Sequence, residues 1–431
     1  MFHIYNVLER IKSNKTIRNG GLYSVYSFIG KGASFVLLIL LANYIQPAEY
    51  GQLSLFNTAV MLLGYFMGFS SFGYISVSYF KKSKQDFKKD FTVIITLYLF
   101  TTAFFILILM VFEDYLSNIL HLSPILLWYA IIISLFNIFF YINQDLARIR
   151  EKVGTYGILS CSNALLNFVL SLILVIGFKQ SWMGRINAQL LCTLFYGFVA
   201  IVFFLKYHLF DFHLSWDRYK VIFLWCLPII PHLTTNWLRQ GCDRYIIDYN
   251  YSVYEVGLFS FALNLIAIFT MIGFAFNSTN SVSLYKLLSN KEGYTDVTAR
   301  ISKLTRMMFY IYTIACVVLT LILPVIVYVF LPKYVPSLQY FYLLSVFGYL
   351  ECIYFIYINY LFYYGKTQQI MYITFGTSVV HLLLSLVLTR FSLYYTALIY
   401  IIVDLIQIVL LYKFSSNLKR QHNIDKTKII L

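Results

Sequence analysis

The chain has 431 residues, 60% of them apolar and 12% charged, and a mean hydropathy of +0.74. No soluble globular average has that composition, so lipid is its main solvent. A formal charge of +15 would suit nucleic acid, but the cations lie in short clusters between apolar runs, where Lys and Arg set membrane orientation, and nucleic acid is excluded as a partner.

The amino terminus is polar and basic, with Arg10, Lys12, Lys15 and Arg18. The apolar stretch after it is too long for a signal-peptide core and has no A-x-A-like end, so no cleavage is expected. About 20 apolar residues cross the hydrocarbon as a helix. That length predicts spans near 22–46, 52–80, 91–112, 124–146, 153–177 and 182–206 in the first half of the chain. Six more are predicted near 221–247, 254–284, 302–330, 337–362, 367–388 and 393–415.

Orientation follows from the cations. Between and beyond these spans, 26 Lys and Arg fall on one side, including Lys81, Lys82, Lys84, Lys88 and Lys89 in the first loop. Five fall on the other, namely Lys179, Arg185, Arg244, Lys333 and Arg390. This asymmetry predicts cytoplasmic amino and carboxyl termini and an even number of spans.

An internal repeat divides the chain. Glu49, Gly51 and Ser54 at the start of the second span recur as Glu255, Gly257 and Ser260 at the start of the eighth, and Tyr79 recurs as Tyr285. The offset is nearly half the chain and joins spans of the same direction. The expected fold is therefore all-α and polytopic, with about twelve transmembrane helices in two parallel six-helix halves, 1–215 and 216–431, around a central cavity.

Ionisable groups at membrane depth are costly, and each is a site candidate. Lys31 lies among small residues with no acid in its own helix. It either faces a watery cavity that attracts phosphate, or snorkels or pairs structurally, with Asp404 a possible partner. Arg239 occupies a nearly equivalent place in the second half. On its helix Arg239 with Asp243, and Arg244 with Asp248, have the spacing of i,i+4 ion pairs. Asp404, Glu351 and His381 lie inside apolar spans and are candidates for ion coupling, against the alternative of satisfied interhelical hydrogen bonds. Ser160, Asn163, Asn167 and Ser171 form a polar stripe that either lines a cavity or bonds neighbouring helices. Pro228 and Pro231 either form a hinge or mark where the seventh span begins.

The six cysteines fall singly in apolar segments, and no Walker loop, HExxH or nucleophile elbow is present. No metal, cofactor or catalytic residue is expected, and the protein is not expected to be an enzyme.

Two stretches carry a family resemblance. The first runs from Lys31-Gly32-Ala33-Ser34-Phe35 through Pro47-Ala48-Glu49-Tyr50-Gly51. The second joins Leu227-Pro228-Ile229-Ile230-Pro231-His232 to Asp243-Arg244-Tyr245-Ile246-Ile247 and to Glu255-Val256-Gly257-Leu258-Phe259-Ser260. In these, and in length, span number and orientation, the chain resembles the Wzx or O-antigen flippases, within the superfamily of multidrug, oligosaccharidyl-lipid and polysaccharide exporters.

The resemblance implies a protein of the bacterial inner membrane that carries oligosaccharide repeats on undecaprenyl diphosphate from the cytoplasmic to the periplasmic leaflet. Ion-coupled alternating access would drive the step, in the service of O-antigen or capsular polysaccharide. It also implies a cationic cavity, for which Lys31, Arg239 and Arg244 are the diphosphate partners, and company among membrane lipids, a glycan polymerase and a chain-length regulator. Rival functions are a multidrug or small-molecule antiporter, which wants acids at membrane depth in the cavity, and a membrane glycan polymerase, which wants a sizeable periplasmic loop.

Overall fold

The computed structural model describes residues 15–68, 71–227, 229–289 and 294–430, and among them the chain is helical with no strand. Twelve helical segments among the described residues are long and apolar enough to cross a membrane. In chain order they are α1 (Gly21–Ala42), α2 (Pro47–Lys81), α3 (Lys84–Leu120), α4 (Pro124–Ile149), α5 (Val153–Gly177) and α6 (Ser181–Lys206). There follow α7 (Trp216–Asn250), α8 (Val253–Ser289), α9 (Val297–Phe330), α10 (Pro332–Tyr363), α11 (Thr367–Leu388) and α12 (Leu393–Leu418). Each coincides with a predicted span, and the chain is a multi-pass membrane protein of the all-α class.

The helices form two compact units, residues 1–233 and 234–431. In the first, α4 packs on α2 and α6, and α1 lies along α5. In the second, α10 is central and packs on α8 and α12, with α11 along α12. The division comes later in the chain than residue 215, because the first turns of α7 are tied to the first unit. Arg218 donates to Asp90 Oδ1 at 2.9 Å and to Asp86 Oδ1 at 2.6 Å, and the Tyr219 hydroxyl lies 2.7 Å from that of Thr96.

Asp90 is the hub of that knot. It is buried, and its Oδ2 also receives Lys82 Nζ and Ser78 Oγ, each at 2.6 Å. Its removal leaves two partly exposed cations without their shared acceptor. Asp90→Ala should therefore cost about 1–3 kcal/mol, seen as a lower unfolding temperature of the detergent-purified chain.

The repeated Glu has a structural use in both units. Glu49 Oε2 accepts from Gln46 N at 2.8 Å at the start of α2 and from Ser181 Oγ at 2.7 Å at the start of α6. Glu255 lies in the first turn of α8, and its Oε2 accepts from the Tyr340 hydroxyl of α10 at 2.8 Å. A carboxylate at a helix N-terminus satisfies free amides and opposes the positive end of the dipole. In both copies the repeated Glu ties the helix start to a neighbouring helix, and Glu49 also caps its own.

Candidate functional site

The second unit holds a buried ionic cluster built by α7, α10 and α12. A regular α-helical turn would place Arg239 and Asp243 on one face, as an i,i+4 pair requires. Instead, residues Trp237–Gly241 form a π-helical turn, whose hydrogen bonds reach one residue further and rotate the two side chains apart. Such turns are frequent at functional sites. Close packing demands a glycine at its end, since a Cβ on Gly241 would stand 2.6 Å from Trp237 Cδ1.

The rotation gives each residue a different partner from the one its spacing suggested. Arg239 is buried, and its Nη2 donates to Asp404 Oδ1 of α12 while Glu351 Oε1 of α10 stands 3.7 Å away. The guanidinium also faces the Phe347 ring, 5.8 Å from its centroid. Asp243 and His381 of α11 are both fully buried, with Oδ2 and Nε2 2.9 Å apart. The His381 ring meets Tyr400 edge-on, with centroids 4.6 Å apart. The expected Arg239–Asp243 pair is therefore replaced by two interhelical contacts, and Asp404 has Arg239 as its partner.

The charges at Arg239 do not balance. One guanidinium meets two carboxylates, so one negative charge is in excess at membrane depth unless a proton or a cation joins it. Arg244, one turn further along α7, donates to Ser260 Oγ at 3.1 Å and to the Gln240 carbonyl at 3.0 Å.

The first unit holds a cavity of about 260 Å³ bounded by α1, α4, α5 and α6. Ser160, Asn163 and Asn167 of the polar stripe line it, and Ser171 lies one turn beyond Asn167. Arg185 of α6 reaches into the same cavity, donating to Asn167 Oδ1 at 2.8 Å and to Ser171 Oγ at 3.3 Å. Both acceptors are neutral, and among the described residues no carboxylate pairs with it. Sequence reasoning counted Arg185 only as a loop cation. The signal that marks it is its place four residues inside α6, beside a helix whose polar stripe wants a donor.

Lys31 belongs to α1, but its side chain lies outside the described residues, as does the whole of Pro228. Pro231 is exposed, near the start of the helical piece Ile229–Asn236.

Known proteins agree with this architecture. Residues 16–283 match the family described as polysaccharide biosynthesis protein. The Lsg locus putative protein 1 of Haemophilus influenzae is 24% identical over 94% of this chain and 99% of its own length. An uncharacterized membrane protein of the same organism is 23% identical over 85% of this chain and 88% of its own. Among solved structures, the lipid II flippase MurJ in an inward closed conformation superposes with a TM-score of 0.73 at 13% identity, covering 95% of this chain and 92% of that one. An inward-facing multidrug resistance transporter of the MATE family and MOP superfamily gives 0.70 at 12% identity, covering 93% and 95%. The family match spans well over half of the sequence, and the chain belongs to the polysaccharide biosynthesis protein family, on the fold shared by these transporters.

Proposed function

We propose that the protein is a flippase for oligosaccharide repeats linked to undecaprenyl diphosphate. It carries them from the cytoplasmic to the periplasmic leaflet of the bacterial inner membrane, for O-antigen or capsular polysaccharide. Both termini are cytoplasmic in this reading, the two parallel halves work by ion-coupled alternating access, and the chain catalyses no covalent step. Family membership supports the glycan, and the likeness to a lipid II flippase supports a lipid-linked substrate.

The single observation that carries coupled transport is the cluster of Arg239 with Asp404 and Glu351. An excess carboxylate in lipid is held only at high cost, and a proton that joins and leaves it as access alternates gives the cycle its driving step. The Asp243–His381 pair is a second buried titratable contact, which joins α7 to α11. We assign Arg239 to the coupling cluster, whose carboxylates occupy it, and leave Lys31 and Arg244 as partners of the diphosphate. The residues around 228–231 are assigned as the hinge.

The test is translocation of a polyprenyl-diphosphate disaccharide by the full chain in proteoliposomes, read by access of an external glycosidase to the sugar. Wild-type protein should speed the transfer, and Lys31→Ala with Arg244→Ala should slow it about tenfold or more, the effect of losing charge-assisted contacts. Transfer at the rate of empty liposomes by wild-type protein would overturn the function. Full activity of the double variant would remove the two cations from it.

A further inference from the structure

The cavity of the first unit differs chemically from the ionic cluster of the second. Gln144, Tyr156, Ser160, Asn163 and Asn167 offer amides, hydroxyls and a ring edge, and among the described residues no acidic side chain lines the space. The nearest acid along α4, Asp145, is taken by Arg148 at 2.7 Å. Among the described side chains that line it, Arg185 alone brings charge, and Asn167 and Ser171 hold its guanidinium without neutralising it. A cation set in this way among neutral acceptors has the full demand for an anion still open.

Size and position narrow the ligand. A cavity of about 260 Å³ falls just below the ~300–1,000 Å³ of drug-sized sites, which suits one sugar ring. Hydroxyl groups match the amides, and a carboxylate matches a planar guanidinium two bonds at a time. Among the described side chains the lining offers one guanidinium, which balances one carboxylate, whereas a diphosphate brings two charges. Gln144 and Tyr156 lie near the ends of α4 and α5 that carry Arg148, Arg150 and Lys152, and Arg185 lies at the opposite end, four residues into α6. A saccharide entering from the cation-rich side meets the amides first and Arg185 last.

We infer that the cavity of the first unit, with Arg185 at its far end, is a subsite for a carboxylate-bearing sugar of the transported glycan. This rests on the flippase reading for its purpose but not for its test. The full chain in lipid nanodiscs is titrated with methyl glucuronoside, methyl glucoside and inorganic pyrophosphate. The glucuronoside should bind about tenfold or more tightly than the glucoside. Arg185→Gln should abolish that preference without weakening the glucoside, and Arg185→Lys should keep part of it. Equal binding of the two glycosides to wild-type protein overturns the subsite. So does binding of pyrophosphate that depends on Arg185 and displaces the glucuronoside, which would give the cavity to the carrier's diphosphate. If either variant loses its unfolding transition, the wild-type preference decides by itself. Failure of the flippase reading shows separately, as wild-type protein that discriminates the glycosides yet moves no lipid-linked disaccharide.

Discussion

Replacing Arg239 with Met should destabilise the protein by about 3–5 kcal/mol, the usual effect of removing one member of a buried ionic group. The physical reason lies in what remains. Asp404 is buried and Glu351 stands close by, so without the guanidinium two carboxylates face each other in an apolar bundle. Methionine fills the volume and removes only the charge, so packing loss contributes little. The measurement is thermal unfolding of the detergent-purified variant beside wild type. Adding Asp404→Leu and Glu351→Leu to the same chain should recover most of the loss, because an apolar replacement of all partners leaves no charge stranded. A single variant with unchanged stability would mean that the cluster is solvated.

Asp404→Asn should abolish gradient-driven transport while leaving the protein folded. Asparagine keeps the shape and can still accept from Arg239, and Glu351 remains to neutralise the guanidinium. The cluster then carries one positive and one negative charge, and no group in it has to gain or lose a proton as access alternates. Uphill movement of the lipid-linked saccharide under an imposed proton gradient should fall by about tenfold or more, while slow downhill exchange persists. Gradient dependence equal to wild type would take Asp404 out of the coupling step.

The spans were legible because lipid imposes a strict length and composition, and each of the twelve predicted segments has its counterpart in the structure. Their ends were less so. α3 begins at Lys84 and not near residue 91, since its first turns carry Asp86 and Asp90. Hydropathy reads such turns as loop, although Arg218 and Lys82 neutralise them.

Ionic partners were the least legible part. Arg239 and Asp404 are 165 positions apart, and the nearer Asp243 offered a pair that an ordinary helical turn would have formed. Nothing in the residue types around Trp237–Gly241 announces a π turn, and the polar side chains in and beside it find their partners on three neighbouring helices, at Asp404, Glu351 and His381. Arg185 was hidden by its nearness to a loop. Its depth shows only when α5 supplies Asn167 and Ser171 beside it. The polar stripe on α5 was legible, and its spacing brought four side chains to one face, but not what they would meet.

The most direct measurement for the flippase account is the leaflet distribution of the lipid-linked repeat in cells that make the surface glycan, with and without this chain. Depletion should trap the repeat on the cytoplasmic leaflet, out of reach of a periplasmic glycosidase, and wild-type protein but not Asp404→Asn should restore its access. Repeats that reach the periplasmic face equally well without the protein would contradict the account.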